Sequence, residues 1–225
     1  MFTQAVEWRA RVGHRISWLT LNPNAWMAAA FSIAVISAAV TLGVFGAGDR
    51  GTEIALRLTA RWSFLLFWLA YAGGAAAKLL GTDLYGLAHR RREFGLAFAS
   101  AQLVHVGLIF WLYNIAAGPG GAMLFFWVGI LGTYLLALFS VPAVRDAINP
   151  RIWRTFRTVG MEYIALVFAD DFILIPLQEH GATRYPLTYV PFAIILIGGL
   201  ALRVTLFVWS KFTLPDPGLC NDARR

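Results

Sequence analysis

The chain has 225 residues, of which 59% are hydrophobic, 15% aromatic and only 14% charged. A water-soluble domain carries about 45–50% apolar and about 25% charged residues, so this one lacks the polar surface to cover a core in water. That excludes a soluble enzyme, a disordered chain and a nucleic-acid-binding domain. The net charge of +7 is distributed between apolar runs and makes no basic face. The expected partner is a lipid bilayer.

The N-terminal arm, 1–24, carries Arg9, Arg11 and Arg15 and is expected on the cytoplasmic side. About 20 apolar residues cross a bilayer core as a helix, and six segments qualify: 26–47, 62–81, 94–116, 121–143, 158–178 and 187–210. The first is too long and too far in for a cleaved signal peptide. Between the first two lies a polar stretch, 48–61, whose Ile54, Leu56 and Leu58 alternate with Arg57 and Arg61. That pattern predicts a segment lying along the membrane surface. The fifth span is the least uniform, holding Glu162, Asp170, Asp171 and Pro176. The tail, 213–225, contains the lone Cys220, so no intramolecular disulfide or cysteine metal pair is expected. Lys and Arg divide fourteen against four between the two sides, with Arg203 inside the sixth span. Positive charge stays cytoplasmic, so the fold expected is an all-α integral membrane protein: a six-transmembrane-helix bundle over 25–212, both termini cytoplasmic. Seventeen Arg against two Lys, with abundant Ala and Gly, indicates a bacterial source and hence the inner membrane.

Ionisable groups at membrane depth are functional candidates because they are costly unless paired or hydrated. They are His105, Glu162, Asp170, Asp171 and Arg203, with Gln102 a neutral polar neighbour. At ~1.5 Å per residue, His105 lies roughly 18 Å in from the cytoplasm and Asp170 about 20 Å. Glu162 lies about 7 Å in and Arg203 within about 14 Å of the same side. The depths pair His105 with Asp170 or Asp171, and Glu162 with Arg203, unless Arg203 snorkels to the headgroups. Adjacent carboxylates point about 100° apart on a helix, so one should face His105 and the other should find Arg57 or Arg61. Gly73 to Ala77, Gly129, Gly132, Gly198 and Gly199 permit either close helix packing or room for a flat cofactor. No catalytic residue can be named. There is no P-loop, GxGxxG or CxxC, so nucleotide or flavin chemistry would need another polypeptide. His14, His89 and His180 lie in polar connections, and the residues alone do not support a two-histidine haem site.

Two stretches carry a resemblance. Arg90-Arg91-Arg92-Glu93-Phe94-Gly95-Leu96-Ala97-Phe98 leads to His105, and Trp153-Arg154-Thr155-Phe156-Arg157-Thr158-Val159-Gly160-Met161 opens the fifth span. Together they resemble the ferric reductase-like transmembrane family, over roughly 50–175. Its members include the haem-bearing membrane subunits of the methionine sulfoxide reductase and ferric reductase type. The resemblance implies a six-helix bundle moving electrons through haem b, supplied by a separate flavin- or quinone-linked donor protein, with His105 as haem-binding residue and iron ligand. Water, an aspartate or a partner's residue would then stand opposite. The chain departs from the family at Arg157, where the motif has histidine, and at Asp170 and Asp171 further along. A guanidinium cannot ligate iron. The rival expectation is a haem-free membrane binding, assembly or transport component with a buried His/Asp proton-responsive site, since histidine beside a carboxylate titrates near neutrality.

Overall fold

The structure is a computed structural model that describes residues 22–81, 85–115, 123–180 and 186–213. Helix α1 spans Pro23–Phe45, α2 Asp49–Leu80, α3 Tyr85–His89, α4 Arg91–Ile115 and α5 Met123–Phe139. Then come α6 (Pro142–Arg145), α7 (Pro150–Ala169), a π-helical segment at Asp170–Leu174, α8 (Ile175–His180) and α9 (Val190–Thr213). The described residues contain no strand.

Among the described residues four helices are long and apolar enough to cross a membrane: Pro23–Phe45, Asp49–Leu80, Arg91–Ile115 and Val190–Trp209. A fifth apolar helix, Leu124–Phe139, is shorter. Large apolar side chains are exposed along α1 (Ile36, Val40, Val44) and α9 (Val204, Phe207, Phe212). In water such faces would be a liability; against acyl chains they are solvated. An all-α integral membrane protein follows.

The helices start where local chemistry starts them. Asn22 caps α1 by accepting from the Asn24 N–H at 3.4 Å, and Asn149 caps α7 by accepting from Arg151 N–H at 2.9 Å. Each is followed by proline at the first helical position, where its missing N–H costs nothing.

The connection 48–61 differs from its expected place on the membrane surface. It is the first part of α2, a continuous helix of 32 residues, about 48 Å long. The reason is its second face. Gly51, Thr52, Ala55, Thr59 and Ala60 are buried, while Glu53 and Arg57 form an exposed i,i+4 ion pair at 3.6 Å. A stripe of small residues packed on neighbouring helices outweighs an amphipathic float on lipid. Gly51 is tied to this close turn, because a Cβ there would collide with the Gly46 carbonyl.

Helix α2 is the axle of the fold, packing against α1, α3, α4 and α9, while α5 packs mainly on α7. The core is aromatic. Phe64 lies edge-on to Phe168 and Phe172 at 5.2 and 5.1 Å, and Phe67 stacks on Tyr71 at 5.3 Å. Tilted contacts of Phe67 with Phe98 and Phe168, at 5.5 and 5.3 Å, join α2, α4 and α7.

The run Gly73 to Ala77 makes no room for a cofactor. It is buried in helix packing: Gly73 sits by Leu87 and Gly74 against the Arg91 side chain. Arg91 Nε donates to the Ala70 carbonyl at 2.9 Å. Gly199 likewise faces Trp68, whose indole N–H donates to Ile195 O at 2.8 Å. Gly198 and Gly132 face open space.

Candidate functional site

Two polar sites occur inside the bundle, and α2 and α7 contribute to both. The first joins Glu162 of α7 to Arg203 of α9 at 2.6 Å, the pair that matched depth leads one to expect. Sequence reasoning missed its third member. The Tyr71 hydroxyl donates to the other Glu162 oxygen at 2.6 Å. The Arg203 guanidinium lies over the Tyr71 ring, 4.2 Å from its centroid, and donates to the Tyr71 carbonyl at 3.4 Å. Arg203 therefore does not snorkel; it is held by carboxylate, carbonyl and ring face together.

The second site is a partly open cavity of about 300 Å³ lined by α2, α4, α5, α7 and the π segment. His105, Gln102, Asp171, Arg61 and Arg57 line it, among Phe98, Phe126, Trp127, Phe168, Phe172 and Tyr189. His105 and Asp171 thus share one cavity, whereas Asp170 is absent from its lining. Of the two adjacent carboxylates, Asp171 is the one that lines the cavity together with His105, Arg57 and Arg61.

The π segment explains the selection. A π turn inserts an extra residue into the ladder and re-aims the side chains after it, a device frequent at functional sites. Here it begins at Asp170 and carries Asp171 and the buried Phe172 onto the cavity wall.

His105 is held by a residue that sequence reasoning did not single out. Its Nδ1 lies 3.0 Å from Thr59 Oγ1, and that hydroxyl is 2.9 Å from Ala55 O and 3.1 Å from Leu56 O. A threonine hydroxyl has one proton to give. Donated to a helix carbonyl, it leaves an oxygen lone pair to accept from Nδ1–H. With the hydroxyl donating to the helix, Nδ1–H is the His105 tautomer that fits this contact.

Other polar atoms at the cavity are unpaired. Gln102 Oε1 and Arg61 Nε are buried without a hydrogen-bond partner. The Arg61 guanidinium stacks instead over Tyr189 and Phe192, 5.5 and 5.3 Å from their ring centres. Leaving buried polar atoms unpaired costs about 1–3 kcal/mol each; Trp26 Nε1, Ser63 Oγ and Tyr134 Oη, away from the cavity, are unpaired in the same way.

The donor set does not fit a bis-histidine haem. Among the described residues His105 is the only histidine on the cavity wall, and Arg157 is exposed on α7. His89 is exposed on α3, and His14 lies outside the described residues. Among the described residues no group of three His, Cys, Asp or Glu could hold a metal ion. No family model, curated protein or solved structure matches the chain.

Proposed function

We propose that this chain is a six-span bundle of the ferric reductase-like type, both termini cytoplasmic, in a bacterial inner membrane. In this reading it works as a haem-free binding component whose site is the cavity holding His105 and Asp171. One observation carries it: the cavity has a single imidazole, one carboxylate and two arginines, and buried polar atoms of Gln102 and Arg61 have no hydrogen-bond partner. That set can bind and exchange a proton with a small molecule; it cannot grip iron from two sides. Supporting six spans, α5 and the continuous rod from α7 through α8 add two helices to the four long apolar ones.

The absorption spectrum of the purified protein, expressed with ample haem supply, tests the reading. No reduced-minus-oxidised Soret or α-band is expected. A band at near one haem per chain would overturn it. Reporter fusions at Gly118 and Arg225 should report opposite compartments; a shared compartment would sink the topology.

A second reading is electron transfer with a separate donor protein. It is favoured by His105, which stands at the position of the family's ligand histidine and lines the cavity. The spectrum decides between the two.

A further inference from the structure

We infer that the first turns of α7 form a docking surface for the phosphate headgroups of anionic lipids; this goes beyond the cavity reading and does not depend on it. Helix directions fix which charges share an end of the bundle. Going along α2 from Phe64 to Tyr71, the partners on α7 run back from Phe168 and Phe172 to Glu162. The start of α7 therefore lies beyond Tyr71, at the end where Arg91, first residue of α4, donates to Ala70 O. The end of α5 is there too, since Phe139 meets Trp153 and Phe156.

Among the described residues the carboxylates at this end are all taken. Arg90 pairs with Glu93 at 3.1 Å, Arg145 with Asp146 at 3.1 Å and Arg203 with Glu162 at 2.6 Å. Arg92, Arg151, Arg154 and Arg157 are exposed, and among the described residues no ion pair closes on them. The opposite end is balanced differently: Arg57 pairs with Glu53 at 3.6 Å, and Asp49, Asp170 and Asp171 add further acid. Uncompensated positive charge is thus gathered at one end.

The neighbours of these arginines say what covers them. At about 100° per residue, Arg151, Arg154 and Arg157 share one exposed arc of α7 with Ile152 and Val159. Those two aliphatic side chains are 63% and 62% exposed, while Trp153 and Phe156, on the other side, pack on Phe139 at 6.3 and 5.2 Å. Bare aliphatic groups among arginines suit the boundary between acyl chains and headgroups; water or an acidic protein would leave them unmatched. Arginine stems lie along apolar surface with the charge held outward, and the guanidinium meets phosphate through paired N–H donors. A zwitterionic headgroup brings its own cation and leaves the excess standing, so the fitting headgroup is anionic.

The test uses the full-length protein in neutral detergent micelles with added phosphatidylglycerol, phosphatidylcholine or inorganic phosphate. Lipid retained through gel filtration is counted by mass spectrometry. Phosphatidylglycerol should be retained roughly tenfold over phosphatidylcholine, since one basic side chain near an anionic surface is worth about fivefold. The preference should hold at about 0.1 M salt and vanish at about 1 M, as the screening length falls from about 10 Å to about 3 Å. The triple substitution R151Q/R154Q/R157Q should bring it to about twofold or less and leave the thermal midpoint without lipid unchanged, because no ion pair is lost. R151K/R154K/R157K should keep the preference, and Arg50→Gln at the other end should leave it intact. Equal retention of the two lipids by the unaltered protein would overturn the proposal, as would a preference that survives the triple substitution. Displacement of phosphatidylglycerol by an equal concentration of inorganic phosphate would reveal a free-anion site and overturn the lipid assignment. Should the triple variant not fold, the single substitutions decide: each should lower the preference, and no reduction in any of them overturns the surface.

Discussion

The two polar sites of the bundle share helices α2 and α7 and differ in what they leave undone. At Tyr71, Glu162 and Arg203 the carboxylate oxygens have both found partners, and the guanidinium is covered by a ring face. At His105, Gln102, Arg61 and Asp171 a space remains, two buried polar atoms are unpaired, and among the described residues no ion pair closes on Asp171. A membrane bundle can tolerate ionisable groups either by mutual satisfaction or by keeping a place for something else. The first kind is a clamp between helices. The second is a site.

The largest effect should come from opening the clamp. Arg203→Met strands the Glu162 carboxylate, and Glu162→Gln strands the guanidinium. Removing one partner of a buried pair costs about 3–5 kcal/mol; Glu162 is 41% exposed, so about 2 kcal/mol is expected for each. The double variant should lose less than the two singles combined. Additive losses in thermal midpoint across the cycle would show that the pair does not couple the helices.

Crowding the packed side comes next. Gly199→Ala places a Cβ 2.5 Å from Trp68 Nε1, which must move and weaken its bond to Ile195 O. Overpacking of this kind costs about 1–3 kcal/mol. Gly198→Ala, one residue earlier and open, should be neutral or mildly stabilising through helix propensity. Equal behaviour of the two would contradict the contact of α9 with α2.

A smaller loss is expected from Thr59→Val, which keeps the shape and removes the hydroxyl from His105 Nδ1. Interhelical hydrogen bonds in membranes average about 0.6 kcal/mol, at most about 1.7. The imidazole nitrogen shifts of His105 should change with it, because the tautomer loses its anchor. Unchanged shifts would break the assignment of Nδ1–H. The least effect belongs to Gln102→Leu in the absence of ligand. Removing an unpaired buried amide oxygen relieves its desolvation, so the midpoint should hold or rise. A loss above about 1 kcal/mol would show that Gln102 is satisfied after all and would turn the second site into another clamp.

Much of this was legible from residues alone, and for a physical reason. Lipid demands long apolar helices whose backbone groups bond internally, so composition and run length mark α1, α4 and α9 within a few residues. The same argument of cost at depth picked out Glu162 with Arg203 and His105 with the Asp170–Asp171 pair. Hydropathy reads only average polarity, however, and the charged first part of α2 was therefore taken for a surface segment. Its buried stripe of Gly51, Thr52, Ala55 and Thr59 becomes visible only when the neighbours that cover it are in place.

The sequence by itself determined the solvent, the helical class and the short inventory of costly side chains, because each follows from transfer energies and helix length. It could not say which of two adjacent aspartates enters the site. That is set by the π turn at the end of α7, a change of register beside the aromatic contacts of Phe168 and Phe172 with Phe64 of α2. Nor could it find Thr59 or Tyr71, whose side chains are ordinary in a helix until tertiary packing brings one to His105 and the other to Glu162. The cavity too belongs to the tertiary structure. Empty space arises where several helices fail to meet, and no single helix encodes it.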